Sequence, residues 1–216
     1  MADDLYPQDC AFCKISAAYP ATASSSPIPS SPDPELCQPQ CHLLLSTPHV
    51  LAFLDIMPIA PGHILLTTRK HYEKLSNLQR PQPSKPTTWT SLRASQDALD
   101  ASRAIGEWLP ILSRALCQVT GVEDWNIVQN NGVRAAQVVG HVHFHLIPRY
   151  QEGREERKKN GMGEAQMRSW RMFGKGVRED LDEEEGRELS GKLRAALRVE
   201  LGEGAEERGK KEKGRL

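Results

Sequence analysis

The sequence predicts an α+β fold with a mostly antiparallel β-sheet of about five strands, one long helix, a shorter helix and a C-terminal helical extension. The clearest strand is residues 141–147, where histidine alternates strictly with apolar residues, because a period of two places alternate side chains on opposite faces of a strand. Short apolar runs bounded by turn residues predict the other strands, at residues 43–46, 49–54, 62–68 and 125–129.

The long helix is predicted between residues 91 and 119, where apolar positions roughly follow helical spacing. Pro110 lies inside this run. Because proline has no backbone N–H and its ring crowds the preceding turn, we expect Pro110 to kink the helix or divide it in two.

The expected domain organisation is one domain over residues 1–150, a C-terminal extension over residues 151–203 and a disordered tail over residues 204–216. Within the extension, residues 182–201 should form a helix, since leucines and alanines make one stripe and Asp182 is suited to cap the first turn. This stripe is expected to dock on the parent domain or on a second subunit.

Two segments of the first unit are rich in proline and in serine or threonine. Residues 18–40 include the run Ala-Ser-Ser-Ser-Pro-Ile-Pro-Ser-Ser-Pro, and residues 80–90 contain three prolines. Such a composition buries too little apolar surface to order itself. We therefore expect a disordered insertion at 18–40 and a loop of low order at 80–90.

Composition and charge limit the classes of function. The 216 residues carry 28 Lys and Arg against 28 Asp and Glu, so the net charge gives no reason to expect a nucleic acid or a membrane as partner. No apolar run approaches the roughly 20 residues of a transmembrane helix, and the first four residues include two aspartates where a signal peptide is basic. Five cysteines without such a signal favour thiols or metal ligands over disulfides. These features predict a soluble intracellular protein, cytoplasmic and/or nuclear.

The histidine row at residues 141–145 is the strongest functional signal. Three imidazoles on one face of a strand could form a three-histidine metal site, a nucleophile flanked by hydrogen-bond donors, or an inert run on a solvated face. Spacing alone leaves these three interpretations open.

A second motif is Cys10-Ala11-Phe12-Cys13. Two thiolates at this spacing can bind one metal ion, and the two-residue spacer is the common zinc-knuckle arrangement. The same pair could equally be two small buried residues, so a lone CxxC is weak evidence of a metal.

Three motifs in this chain, in the same order and at similar spacing, resemble those of the histidine triad family of nucleotide hydrolases and transferases. The family signature His-φ-His-φ-His-φ-φ, with φ apolar, is matched at every position from His141 to Ile147. Residues 53–63 are similar to the nucleoside-binding segment of the family, and residues 10–15 to its usual opening. The resemblance implies a HIT-like fold, from which the long segment at 18–40 departs because the family has a short connection there.

The resemblance also assigns roles to side chains. His143, the middle histidine, would attack the α-phosphorus of a nucleotide, since a neutral imidazole is available as a nucleophile at pH 7. His145 and Gln137 would donate hydrogen bonds to the phosphate. The other implied site residues are His141 and His63 in the histidine cluster, Phe53, Asp55 and Ile56 around the nucleoside, and Asn130 at the phosphate.

Two of these positions also allow simpler interpretations, and one departs from the family. Asp55 could be an Asx-turn residue, and His63 a plain buried histidine. Val138 stands where the family usually has Ser or Thr in contact with the phosphate or the leaving group, and valine cannot donate a hydrogen bond.

The metal interpretation gains two further ligands from the resemblance. In zinc-carrying members of the family they are a histidine after the second strand and the first histidine of the triad, which correspond here to His71 and His141. Together with Cys10 and Cys13 they imply a closed Cys₂His₂ structural zinc site. The implied mechanism requires no catalytic metal.

Within the family, Asp55, Ile56 and Asn130 are most similar to the adenosine phosphoramidase branch. This implies hydrolysis at the α-phosphate of an adenosine nucleotide through a nucleotidyl-histidine. Two alternatives stay open: a dinucleoside polyphosphate hydrolase, or a nucleotide-binding regulatory protein whose catalysis is vestigial. The resemblance further implies a purine nucleotide substrate and a homodimer in which the long helix takes part.

Overall fold

The computed structural model describes residues 9–21, 26–78, 89–150 and 180–203. The predicted tail at 204–216 lies outside these residues, as does the predicted loop at 80–90 except for its last two residues, which are helical. No helix within the described ranges has both the length and the apolar character that crossing a membrane requires. In chain order the elements are α1 (Ala11–Ala18), β1 (Leu43–Ser46), β2 (Val50–Leu54), β3 (Ile64–Thr68), α2 (Trp89–Thr120), β4 (Asp124–Gln129), β5 (His143–Arg149) and α3 (Glu183–Glu200).

All five strands form one antiparallel sheet in the order β1-β2-β3-β5-β4. The β5 strand is an interior strand of the sheet, between β3 and the edge strand β4. In this register His145 is opposite Leu65 and His143 is opposite Thr67. Residues opposite each other in a sheet share a face, so both histidines project from the same side as these β3 residues. The predicted α+β class and five-stranded antiparallel sheet are confirmed.

One face of the sheet holds the main core, which is closed by α2 and α3. The buried stripe of α2 recurs every three or four residues, as expected for an amphipathic helix. Its members are Ile105, Trp108, Leu112, Ala115 and Leu116, and they pack on Leu44, Val50, Ala52, Leu54, Ile64, Leu66, Val142 and Leu146 of the sheet side.

Of the two effects expected of Pro110, a kink or a division of the long helix, the division is wrong, because α2 runs without interruption from Trp89 to Thr120. A proline inside a helix costs about 3 kcal/mol. Fully burying a leucine contributes about 1.5–3 kcal/mol, and Leu112 and Leu116 are both fully buried just after the proline. Packing on the sheet therefore outweighs the cost of Pro110.

The opposite face of the sheet is covered by α1. Phe12 packs there on Leu51, Phe53 and Leu65. Arg69, which is 9% exposed, holds the end of α1 by donating from Nη1 to the carbonyls of Ser16 and Tyr19, both at 3.0 Å. These bonds satisfy carbonyls that a helix end leaves without partners.

The expectation that the whole of residues 18–40 would be disordered is wrong for the part that the structure describes. Ile28 is 3% exposed and belongs to the main core. The carbonyl of Pro29 accepts a hydrogen bond from Arg198 of α3 at 2.9 Å. The described part of the insertion therefore contacts the C-terminal helix, about 170 residues away, which local composition does not show.

The predicted helix at 182–201 is observed as α3, Glu183–Glu200, with Asp182 accepting a hydrogen bond from the Glu185 amide at 3.0 Å. Leu193 and Leu197 are fully buried against the same core as α2. Of the two surfaces expected for this stripe, the parent domain is the one it covers.

Candidate active site and metal centre

His143 lies near the centre of the α1 face, at the start of β5, and is 4% exposed. Its ring is 5.0 Å from that of Phe12 and 4.8 Å from that of His145, edge to face in both cases. The strand alternation that predicted a common face for these histidines therefore holds, although β5 begins at His143 and leaves His141 just before it.

The hydrogen bonding of His143 shows which of its ring nitrogens carries the proton. Nδ1 is 2.6 Å from the backbone carbonyl of His141. Since a carbonyl can only accept, Nδ1 carries the proton and Nε2 of the neutral ring keeps its lone pair. Burial lowers the pKa of His143, although the bond to the His141 carbonyl acts in the opposite direction. The ring is thus held neutral, in the tautomer that a nucleophile requires.

His145 is connected to a buried chain of two further groups. Its Nδ1 lies 3.0 Å from Nε2 of His63, and Nδ1 of His63 lies 3.2 Å from Oδ2 of Asp55. His63 is 1% exposed. The three side chains are close enough together to share a cation, but both separations are hydrogen-bond distances.

The backbone amide of Ile59 also points at Nδ1 of His63, at 3.2 Å. If that nitrogen is protonated it donates to Asp55, and if not it accepts from Ile59. In the first arrangement Nε2 of the neutral His63 ring has a lone pair and accepts from His145. In the second arrangement Nε2 of His63 carries the proton and donates to His145. The row of contacts from His145 through His63 to Asp55 can therefore leave Nε2 of His145 as either a proton acceptor or a proton donor.

The sequence allowed Asp55 to be either an Asx-turn residue or a residue beside the nucleoside, and its contacts form the turn. Its Oδ1 accepts the amide of Met57 at 3.0 Å, which is an Asx-type turn, while Oδ2 faces His63. The turn from residue 55 to residue 63 is closed by the Asp55 amide donating to the His63 carbonyl at 2.9 Å. Carboxylate oxygens accept more than one hydrogen bond each, so these contacts are compatible with a ribose as well.

The loop between β4 and β5 contains the three predicted phosphate-side residues. Gln137, 5% exposed, accepts from the Gly132 amide at 2.5 Å and donates to the Glu73 carbonyl at 2.7 Å. Its amide therefore supports the loop, and donation to a phosphate would require these bonds to rearrange. Asn130 makes a long 3.5 Å contact with the Ala136 carbonyl, and Val138 is 94% exposed.

On the nucleoside side, Phe53 is 3% exposed and contacts Phe12, with ring centroids 5.5 Å apart. Phe12 thus lies between Phe53 and the nucleophile candidate His143. The sequence analysis did not predict that Phe12 contacts both rings. Its position between the two cysteines of the CxxC motif was a signal that could have indicated it. Ile56 is half-buried at the start of the 55–63 turn.

The four predicted metal ligands are brought together by three different parts of the chain. The Sγ of Cys10 is 3.4 Å from Nδ1 of His141, and the Sγ of Cys13 is 3.4 Å from Nδ1 of His71 and 3.6 Å from Nδ1 of His141. Tetrahedral zinc with bonds of about 2.3 Å to sulfur and about 2.05 Å to nitrogen requires sulfur–nitrogen separations of about 3.5 Å. The donor set therefore fits one zinc ion.

The surroundings of His141 support the same geometry. Its Nε2 donates to the backbone carbonyl of Thr68 at 2.8 Å, so the unprotonated Nδ1 faces the cysteines, as a metal ligand must. The hydrogen bond from Cys13 lowers the pKa of Cys10 to about 3, and the same bond raises the pKa of Cys13. Nε2 of His141 is thus bonded to Thr68 and Nδ1 faces the cysteines. The contact of His141 with the candidate active site is its backbone carbonyl, which accepts from Nδ1 of His143.

Comparison with known proteins identifies the fold. A family model described as the HIT domain matches residues 38–152, more than half of the chain. The chain belongs to the HIT family. Adenosine 5'-monophosphoramidase hnt1 of Schizosaccharomyces pombe is 32% identical over 112 residues, which are 52% of this chain and 67% of that protein.

Two solved structures share the HIT fold. The first is a Hit-like protein from Bartonella henselae, with 20% identity, a TM-score of 0.52 and coverage of 89% of this chain and 98% of that one. The second is a Zn-bound histidine triad family protein from Mycobacterium smegmatis, with 22% identity, a TM-score of 0.50 and coverage of 88% of this chain and 93% of that one.

These comparisons confirm the predicted family and fold, and the predicted enzyme class agrees with the hydrolase named among the HIT relatives. The chain spans about two thirds or less of the length of the curated relatives it matches. The HIT model begins after Cys10 and Cys13 and ends before α3, so the two N-terminal candidate metal ligands and the C-terminal helix lie outside the matched region.

Proposed function

We propose that this HIT protein hydrolyses an adenosine nucleotide at its α-phosphate, with a phosphoramidate of AMP as the substrate class. The observation that carries the proposal is His143: a buried, neutral imidazole whose Nδ1 is held by the His141 carbonyl at 2.6 Å and whose Nε2 keeps its lone pair. The name of the Schizosaccharomyces pombe relative supports the choice of a phosphoramidate.

The reaction would proceed in two displacements at phosphorus. Nε2 of His143 attacks the α-phosphorus, the bond from phosphorus to the amine breaks, and the amine leaves with a proton donated by His145. Water then attacks the nucleotidyl-histidine, His145 accepts a proton from it, and AMP departs from Nε2. The His145–His63–Asp55 row supports both roles because it can present His145 as a donor or as an acceptor.

The nucleoside would lie along the 55–63 turn, with Asp55 accepting from the ribose and Ile56 and Phe53 beside the base. Asn130 is proposed to hold the phosphate. Gln137 would act mainly by fixing the loop, since both ends of its amide are bonded to the backbone.

Replacing His143 by Asn tests the nucleophile. Asn removes the attacking nitrogen and keeps roughly the volume, so we expect less than a tenth of wild-type turnover of adenosine 5'-phosphoramidate, with AMP affinity within about tenfold. His49→Asn, the same substitution on the β1–β2 turn, should retain wild-type kinetics. Turnover by His143→Asn above a tenth of wild type would show that His143 is not the nucleophile.

A nucleotide-binding protein with vestigial catalysis is the second candidate, and the exposed Val138 favours it because this position lacks a donor. The same assay separates the two. Wild-type protein that binds AMP but shows no turnover on adenylated amines or dinucleoside polyphosphates would favour the second candidate.

We further propose that Cys10, Cys13, His71 and His141 hold a structural zinc ion. Support comes from the match of the sulfur–nitrogen separations to tetrahedral zinc and from the Thr68 carbonyl that orients His141. The ion would join α1 to the strands that carry the histidines, and no step of the reaction passes through it.

The active form is proposed to be a homodimer that pairs through β4 and α2. The β4 strand is at one edge of the sheet, and edge strands offer unpaired backbone groups to a partner. Trp125 and Ile127 on it are 39% and 45% exposed, and with Leu109, Ser113 and Cys117 they line an open cavity of about 630 Å³.

A further inference from the structure

The C-terminal helix contacts the proposed nucleoside-binding turn directly. The backbone amide of Leu181, two residues before α3, donates a 2.7 Å hydrogen bond to the carbonyl of Ile56. Ile56 follows Asp55, so this bond ends on the peptide unit beside the carboxylate proposed to accept from the ribose. Leu181 lies outside the residues that the HIT model matches.

Leu181 is held in place because α3 is firmly docked. The Asp182 side chain caps the helix at 3.0 Å, and Leu193 and Leu197 are fully buried. Arg194 donates from Nη1 to the Leu43 carbonyl at 2.9 Å. A donor fixed in this way can restrict the turn it binds.

A second set of contacts connects α3, through His42, to Leu54, the residue just before the 55–63 turn. Gly186 of α3 packs so closely on the ring of His42 that a Cβ would lie 2.7 Å from its Cδ2 atom. The carbonyl of His42 in turn accepts the amide of Leu54 at 3.2 Å, immediately before Asp55. The two contacts therefore bracket Asp55, through Leu54 on one side and Ile56 on the other.

We propose that the Leu181 amide is a positioning group for nucleoside binding, through which α3 fixes Ile56 and Asp55 relative to the histidines. This inference rests on the proposed function for its substrate. The contacts between Asp55 and His63 do not involve Leu181, so loss of the Leu181 bond should affect binding of the nucleotide and leave the His145–His63–Asp55 row, and attack by His143, unchanged. Loss of this bond should therefore raise KM and leave kcat in place.

Leu181→Pro removes this N–H in the full-length chain but also the side chain that packs on the main core, so Leu181→Ala, which loses the side chain and keeps the N–H, is compared with it and should leave KM within twofold of wild type. The matched control is Glu183→Pro, which places a proline at the first helical position, where it is tolerated, and keeps the Leu181 amide. With adenosine 5'-phosphoramidate we expect Leu181→Pro to raise KM about tenfold with kcat within twofold, while Glu183→Pro stays within twofold of wild type in both. An unchanged KM in Leu181→Pro would overturn the proposal.

Hydrogen exchange gives a readout that does not depend on turnover. The amides of Met57 and His63 bond within the turn and should exchange faster in Leu181→Pro than in Glu183→Pro. If the wild-type protein neither binds nor cleaves nucleotides, the proposed function fails, and exchange alone decides whether Leu181 positions the turn.

Asp182→Ala serves as a second variant in case Leu181→Pro does not fold. It removes the cap of α3 and should loosen the Leu181 amide, with a smaller rise in KM and in turn exchange. No rise in either quantity would overturn the proposal.

Discussion

At Val138 the chain departs from the usual HIT pattern, in which Ser or Thr is expected three residues before the first triad histidine. The valine side chain is 94% exposed, so no core packing explains it. A hydroxyl at this place could donate to a phosphate oxygen or to the departing amine, and one such donor typically contributes about 10²-fold in rate.

Val138→Ser is therefore expected to raise kcat on adenosine 5'-phosphoramidate severalfold with little change in KM, because the new contact acts mainly in the transition state. The gain should be smaller for a nucleotide with a phenolate leaving group, which departs without a proton. Steady-state kinetics on both substrates would measure this difference.

The matched control is Val133→Ser, which makes the same change at an 88% exposed position of the same loop. It should leave both substrates unaffected. An unchanged or lower kcat in a folded Val138→Ser protein would show that the site is built around the valine.

At the scale of elements, the proposed zinc site joins α1 to two segments, one after β3 and one before β5, that the Val142 amide bond to the Tyr72 carbonyl already holds together. Cys10 and Cys13 belong to α1 and the residue before it, His71 follows β3, and His141 precedes β5. His141 also holds His143 by its carbonyl. The metal would therefore stabilise the α1 face on which the nucleophile lies.

Cys13→Ala is predicted to lose the zinc and to unfold at a lower temperature. Purified wild-type protein should contain about one zinc per chain by elemental analysis. Loss of the ion should lower Tm by roughly 5–10 °C, which for a chain of this size corresponds to about 2–3 kcal/mol. Because binding stabilises only the folded state, a chelator should lower the wild-type Tm in the same direction.

Cys117→Ala provides the control, since it removes a thiol on α2, outside the metal-ligand set. Its zinc content and Tm should match those of the wild type to within about 2 °C. Zinc-free wild-type protein, with Cys13→Ala unchanged in Tm, would mean that the two cysteines only fill space.

Much of the fold was predictable because its elements are periodic over short stretches. The β5 alternation and the α2 stripe require only neighbours in sequence to be recognised. The ordering of Ile28 was not predictable, because it depends on Arg198 and the buried leucines of α3, distant in sequence. The pairing of Gln137 with the Glu73 carbonyl was missed for the same reason.

In the whole molecule the two faces of the sheet carry different groups of side chains. The face toward α2 and α3 carries the large apolar core, and the face toward α1 carries the histidines and the candidate metal ligands. The resemblance to the family named the candidate residues of the second face, whereas the bond from Leu181 to Ile56 begins outside the residues that the HIT model matches. The β4 strand is one edge of the sheet, and among the described residues no further strand pairs with it.

Ile127→Lys tests whether β4 is the dimer interface. Lysine on an edge strand opposes pairing, and in a symmetric dimer the same charge enters from both subunits. We expect wild-type protein to sediment at twice the mass of the chain and Ile127→Lys to sediment as a monomer at micromolar concentration. Val199→Lys, at a 62% exposed apolar position of α3, should remain dimeric, because the same charge is placed away from the edge. If Ile127→Lys is as dimeric as Val199→Lys, the pairing surface is elsewhere; if wild-type protein is itself monomeric, the exposed residues Trp125 and Ile127 are not buried by a second copy.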